Sequence, residues 1–135
     1  LRLDGNKDNR VGGTQRGIYF KRVGYGLTFG CLIQGVIPEN FQGDGIKIET
    51  CQNALITNNV CKRDATGISV ATSSNCIVTK NKCDENTSSG INLTNADNNT
   101  VVGNICQDNA CRGIYITSSD LNTIVGNVNL IHPPN

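Results

Sequence analysis

Glu85 and Asp108 each follow an Asn by four residues, after Asn81 and Asn104, and stand 23 residues apart. In a chain that repeats at this interval the two carboxylates share a column, about one strand spacing (~4.8 Å) from each other. Two carboxylates converging in this way can act on a glycosidic bond as acid and as base or nucleophile, so both are candidate catalytic residues. Arg63 is the next residue of the column, and a surface ladder of neighbouring opposite charges is the competing reading. Asp84 beside Lys62 is a pair of the same kind.

A second column has a different chemistry. Tyr19 and Tyr115 each stand two residues after a Gly, and Lys47, Ser69 and Asn92 fill the same position between them. On a strand this is the outward position, giving a polar floor with aromatic ends. Such a surface suits sugar rings, which stack on aromatic faces, and suits plain solvation equally. Tyr19, Lys47 and Tyr115 are therefore candidate substrate-binding residues.

Seven Cys is an odd number, so at least one has no partner within the chain. Cys61, Cys83 and Cys106 share a column in which Ile33 takes their place one coil earlier, which reads as a buried ladder of small apolar side chains. Same-facing β-carbons in register suit a disulfide poorly. Metal ligation is the third reading, but there is no Cys-x-x-Cys pair, no Met and one His, His132; no metal ligand is assigned. Cys31, Cys51, Cys76 and Cys111 share no column, and one pair among them can bridge.

These columns exist because the chain repeats. Gly-Ile recurs at Gly17, Gly45, Gly67, Gly90 and Gly113, the last three intervals being 22, 23 and 23 residues. Asn59, Asn81, Asn104 and Asn127 keep the same beat, and a third anchor runs through Asn53, Asn75, Asn99 and Asn122. Apolar residues alternate within each unit, as in Ile46 and Ile48 or Ile91 and Leu93, which is the period of a strand. Short strands recurring every ~22 residues describe a solenoid with one repeat per coil and parallel stacking of successive coils. Asn tolerates the left-handed conformation of tight corners, and its amide can bond to the coil above. The Gly before each Ile fits a corner where the chain turns into a strand.

The fold expected is all-β: one domain over 1–135, a right-handed parallel β-helix of about six coils of 22–23 residues. Residues 1–44 are its irregular coils and 45–129 its regular repeats. Alignment on Gly17 puts Leu27 in the Leu55 column and a loop-forming excess of about six residues near Val36–Gln42. No amphipathic helix caps either end, so further protein or another subunit is expected at one or both. Leu55, Ile77, Val101 and Ile124 read as inward, which sends Ile56, Val78, Val102 and Val125 outward as an apolar stripe. That stripe predicts lateral association, as a homo-oligomer (a trimer among the options) or with a neighbouring domain.

Hydrophobic residues are 37% and charged residues 17%, with 15 Gly and 19 Asn; the deficit is filled by small polar residues rather than by the high net charge of a disordered chain. A net charge of +1 gives no electrostatic reason to expect nucleic acid, and no apolar run approaches the ~20 residues of a membrane span.

The Gly-Ile, Asn-x-apolar and Asn-x-Cys pattern resembles the parallel β-helix repeats of the pectate-lyase-like superfamily, as found in generic surface β-helix proteins, periplasmic copper-binding repeat proteins and phage tail spikes. The resemblance implies an extracellular, cell-surface or virion location and a polysaccharide partner, with lyase or hydrolase activity as one outcome. A structural or adhesive spacer without catalysis is the alternative. Gly43-Asp-Gly-Ile46, followed by Asn53 and Cys61, is similar to one segment of polygalacturonases, and on that similarity Asp44 is a third candidate catalytic residue. There a paired Asp-Asp opens the strand; here Gly45 replaces the second Asp, and the Gly-His-Gly and Arg-Ile-Lys motifs are absent. Pectate lyases use acids around calcium with a basic residue, so Asp44, Glu49 and Lys47 imply Ca2+ as a cofactor option; Asp44 before Gly is also a turn signal.

Overall fold

The computed structural model describes residues 1–5, 15–24 and 30–131. A leading strand, β1 (Arg2–Asp4), is followed by five coils of three strands each. The first coil is β2 (Ile18–Lys21), β3 (Leu32–Gln34) and β4 (Ile37–Glu39). The second is β5 (Ile46–Glu49), β6 (Leu55–Thr57) and β7 (Val60–Lys62), and the third is β8 (Ile68–Ala71), β9 (Ile77–Thr79) and β10 (Lys82–Asp84). The fourth is β11 (Ser89–Thr94), β12 (Thr100–Val102) and β13 (Ile105–Gln107), and the last is β14 (Arg112–Thr117), β15 (Thr123–Val125) and β16 (Val128–Leu130). Every pairing is parallel and joins equivalent strands of successive coils, which makes the protein a right-handed parallel β-helix. Sheet I is β1-β4-β7-β10-β13-β16, sheet II is β2-β5-β8-β11-β14 and sheet III is β3-β6-β9-β12-β15.

The period-two pattern places one apolar set inside. Ile46, Ile48, Ile68, Val70, Ile91 and Leu93 of sheet II are fully buried, against Ile56, Val78 and Val101 of sheet III and Cys61, Cys83 and Cys106 of sheet I. Each large apolar side chain so buried contributes roughly 1.5–3 kcal/mol. The cysteine ladder is thus confirmed as interior, and all seven Cys are free thiols.

The corners divide one job between two adjacent residues. The first adopts a left-handed conformation, as at Asn58, Lys80 and Gly103 (φ 54°, 56° and 64°). The second turns an inward polar side chain onto the neighbouring coil. Asn59, Asn81, Asn104 and Asn127 form such a ladder, each accepting the preceding rung's backbone N–H through Oδ1 at 2.9–3.0 Å. Asp64, Asn86 and Asn109 form another, behind the left-handed residues Arg63, Glu85 and Asp108. The left-handed state costs ~1–2 kcal/mol for a residue with a Cβ, and the ladder bonds offset it.

Four expectations need correction. The left-handed residues of the sheet II to sheet III corner are Asn53, Asn75, Asn98 and Leu121, so Asn99 and Asn122 lie one position past the anchor assigned to them. The register pairs Ile56, Val78, Val101 and Ile124, and Ile56 and Val78 are completely buried. The four-residue apolar stripe therefore does not exist, because a one-residue slip exchanges the two faces of a strand. In sheet I, Pro38 rather than Ile33 shares the side of Leu3 and the cysteines, while Ile33 pairs with Ile56. Residues 36–39 accordingly run within the stack, and the extra length of this coil falls between Gly24 and Gly30; Leu27 lies outside the described residues.

Ile116 and Ile124 of the last coil are inward in register yet 37% exposed, and among the described residues no helix lies over either end. Among the described residues no helix is long and apolar enough to cross a membrane.

Candidate functional site

The outward side chains of sheet II form three parallel columns. The middle one is Tyr19–Lys47–Ser69–Asn92–Tyr115, in register across all five strands. Beside it run Lys21–Glu49–Ala71–Thr94–Thr117 and, where the chain enters the sheet, Arg16–Asp44–Thr66–Ser89–Arg112. Five strands span four spacings, about 19 Å.

Both ends of this surface are built alike. The Arg16 guanidinium lies 4.9 Å from the centre of the Tyr19 ring, and that of Arg112 lies 4.4 Å from the centre of Tyr115. The Tyr19 hydroxyl donates to Glu49 Oε2 at 2.9 Å, which fixes the ring as a platform. Lys21 Nζ reaches Glu49 Oε1 at 2.7 Å and Lys47 Nζ reaches Oε2 at 3.5 Å. Hydrogen bonds from Lys21 and then Tyr19 hold the Glu49 carboxyl down at about 2. Asp44 Oδ2 lies 3.5 Å from Arg16 Nε, yet burial raises its carboxyl above the ordinary value, outweighing the pull of Lys47 and Arg16.

The two carboxyls predict opposite pH dependences. Folded Glu49 holds its proton less tightly than the unfolded chain, so its contribution is present above pH ~4.5 and is lost as pH falls toward about 2. Folded Asp44 holds its proton more tightly, so stability declines as pH rises through the window above ~3.8. Urea midpoints recorded against pH should lose the acid-side rise in Glu49→Gln and the higher-pH decline in Asp44→Asn. An Asp44→Asn profile superimposable on wild type would contradict the burial of this carboxyl.

The structure brings Tyr19, Lys47, Tyr115 and Asp44 onto one face and leaves Glu85 and Asp108 elsewhere. These two share a column, as the spacing implied, at the corner where sheet I ends. There Glu85 lies 3.6 Å from both Arg63 and Lys62, and Asp108 accepts from Gln107 Nε2 at 3.1 Å. With Arg63 also 3.1 Å from Glu39, the corner holds Glu85 in a network of ion pairs with Arg63 and Lys62. Glu39 and Asp84 point outward and are still buried, covered by the basic side chains that pair with them, among them Arg2, Arg63, Lys62 and Lys82.

Sequence reasoning named the tyrosines without their arginines. The signal was present: Arg-Gly-Ile-Tyr occurs at 16–19 and again at 112–115. Among the described residues no group of three His, Cys, Asp or Glu side chains is placed to hold a metal ion. Asp44 and Glu49, the acids considered for Ca2+, each face cationic side chains instead.

No curated protein matches the chain. Among solved structures it is similar to the periplasmic alginate epimerase AlgG, in a doubly substituted form, with 20% identity and a TM-score of 0.57 over 84% of this chain and 33% of that one. A second AlgG structure, without substitution, gives 19% identity and a TM-score of 0.50 over 83% and 32%. The chain thus spans about a third of the length of AlgG, and at this identity the likeness is one of fold. A family profile described as periplasmic copper-binding protein (NosD) matches residues 3–130, and a match over nearly the whole chain, on the coils described above, places this protein in the NosD family.

Proposed function

We propose that this chain is a polysaccharide-binding β-helix module acting outside the cytoplasm, with the glycan lying along the outer face of sheet II. The observation that carries the reading is the unbroken column from Tyr19 to Tyr115, whose three central residues are polar and whose ends are aromatic. The shared fold with an alginate epimerase supports it, and the periplasmic descriptions of both the family and AlgG support the location. Cleavage is not part of the proposal. The carboxylates of this face are Asp44 and Glu49, the latter bound on three sides, while Glu85 and Asp108 stand on another corner.

The family description also implies copper, and among the described residues no cluster of ligating side chains fits it. Copper sites draw on Cys, Met and His. Met is absent, and the single His, His132, lies outside the described residues. Cys61, Cys83 and Cys106 are sealed in the interior, where a hydrogen bond with Cys83 and then burial push the Cys106 thiol far up; burial raises Cys76 to about 11. A thiol so hard to deprotonate is a poor metal ligand.

Binding to an array of oligosaccharides, followed by titration of the best ligand, tests the reading. Tyr19→Ala combined with Tyr115→Ala should weaken binding about tenfold through the two lost stacking surfaces. Absence of binding to any glycan, or equal affinity in the double variant, would sink it.

A further inference from the structure

The three columns of sheet II carry Arg16, Lys21, Lys47 and Arg112 against Asp44 and Glu49. That is a surplus of two positive charges on a chain whose formal net charge is +1, so the excess is local to this face. The carboxylates are already engaged, Asp44 by Arg16 and Glu49 by Lys21, Lys47 and Tyr19. Arg112 is exposed, stacks on Tyr115, and among the described residues has no carboxylate within ion-pair distance. A guanidinium held flat on a ring keeps its N–H groups in its own plane, free to donate sideways to a planar anion in a two-pronged contact. Stacking also restricts the side chain before any ligand arrives, which lowers the entropy lost on binding.

Resting on the polysaccharide reading above, we propose that the ligand is an anionic polysaccharide laid parallel to the solenoid axis, its carboxylate or sulfate groups taken at either end by the Arg16–Tyr19 and Arg112–Tyr115 pairs. The columns run across the strands, so a chain lying along them meets one coil after another. The two Arg–Tyr pairs are about 19 Å apart, which sets the ligand length at about five sugar units, one per strand. The floor between them is uncharged: Asn92 is half-buried and offers its amide to the neutral parts of the sugar, while Ser69, Thr66 and Ser89 are buried in register beside it. Affinity should rise with oligomer length until both pairs are engaged, since the second contact is then intramolecular.

The test is calorimetric titration with oligogalacturonates and oligoalginates of two to eight units, neutral gluco-oligosaccharides of equal length, and a short DNA duplex, at low and high salt. Wild type should prefer the polyuronates, gain affinity up to about five units, and weaken with salt. Arg112→Gln should lose about tenfold or more against the long polyuronates and level off at a shorter length, while Lys80→Gln, an exposed cation on another corner, should match wild type. Neutral oligomers binding as tightly as polyuronates would overturn the anionic assignment and leave the polysaccharide reading standing. Binding of no glycan would remove both, and preference for the duplex would replace them with a nucleic-acid surface. An Arg112→Gln titration indistinguishable from wild type at every length would overturn the two-ended grip.

Discussion

Gly67→Ala should be among the most damaging single-methyl changes in this protein, lowering unfolding free energy by ~3 kcal/mol or more. A Cβ at position 67 would lie 2.6 Å from the Gly90 carbonyl oxygen and 3.0 Å from both Asn86 Nδ2 and the Cys83 Cβ. The first is backbone of the next coil, and the other two belong to packed ladders, so none can withdraw without separating the coils. Domains of this size are stable by only about 5–15 kcal/mol, so the loss is a large share. Gly35 supplies the contrast. It has a positive φ of 67° and nothing within 4 Å of its would-be Cβ, so Gly35→Ala should cost only the conformational strain, ~1–2 kcal/mol. Urea unfolding of the two variants separates crowding from strain. A Gly67→Ala midpoint no lower than that of Gly35→Ala would refute the close-approach account.

Asn81→Ala should cost about as much, ~4 kcal/mol, without introducing any clash. Asn81 Nδ2 donates to the Ile56 carbonyl at 2.9 Å and to Asn104 Oδ1 at 3.0 Å, while its Oδ1 accepts from the backbone and side-chain N–H groups of Asn59, both at 3.0 Å. The side chain is almost fully buried. Truncation strands two donors of Asn59 and the Ile56 carbonyl away from water, at roughly 1–3 kcal/mol each before relaxation. Asn104 Oδ1 keeps the Asn81 backbone N–H, so damage is confined to one side of the rung. Asn81→Asp keeps the shape but replaces a donor with a charged acceptor facing two oxygens, and should be at least as destabilising. Equilibrium unfolding with an unchanged denaturant slope measures both. A loss under 1 kcal/mol for Asn81→Ala would mean that water substitutes for the amide.

The parts of this fold legible in the sequence are those where one residue type has one job in every coil. The alternation of Ile68 and Val70 or Ile91 and Leu93 identified strands, and the shared beat of Cys61, Cys83 and Cys106 placed them in one interior column. The Gly column was visible too, though for a different reason than the one assigned. None of Gly17, Gly45, Gly67, Gly90 and Gly113 has a positive φ; at the first four a Cβ would run into the backbone carbonyl of the next coil's glycine, and at Gly113 into the Asn129 side chain of its own coil.

Sheet III was misread because Asn does two jobs at adjacent positions. At Asn98-Asn99 the first residue is left-handed and the second bonds the neighbouring coil, and the pattern alone does not say which is the anchor. Anchoring on Asn53, Asn75, Asn98 and Leu121 keeps intervals of 22, 23 and 23, whereas Asn99 makes the middle interval 24. The correct choice puts Leu121 in a left-handed conformation, against its intrinsic preference, because tertiary stacking decides the corner. The binding face was half legible for a related reason. An aromatic column follows from strand alternation, but an Arg stacked on a Tyr three residues later depends on how the chain enters the sheet.

Each corner rung bonds to the coils directly before and after it, and equivalent rungs repeat every 22 or 23 residues. Such a design makes the gene modular at the scale of one turn. Loss or duplication of a single repeat in the coding sequence, in frame, would rejoin rungs of the same kind and preserve every register. The distance between the two Arg–Tyr pairs would then change in steps of about 4.8 Å. Length becomes a heritable trait that varies by whole notches, and paralogues of this chain can be matched to ligands of different size without redesign of a single corner.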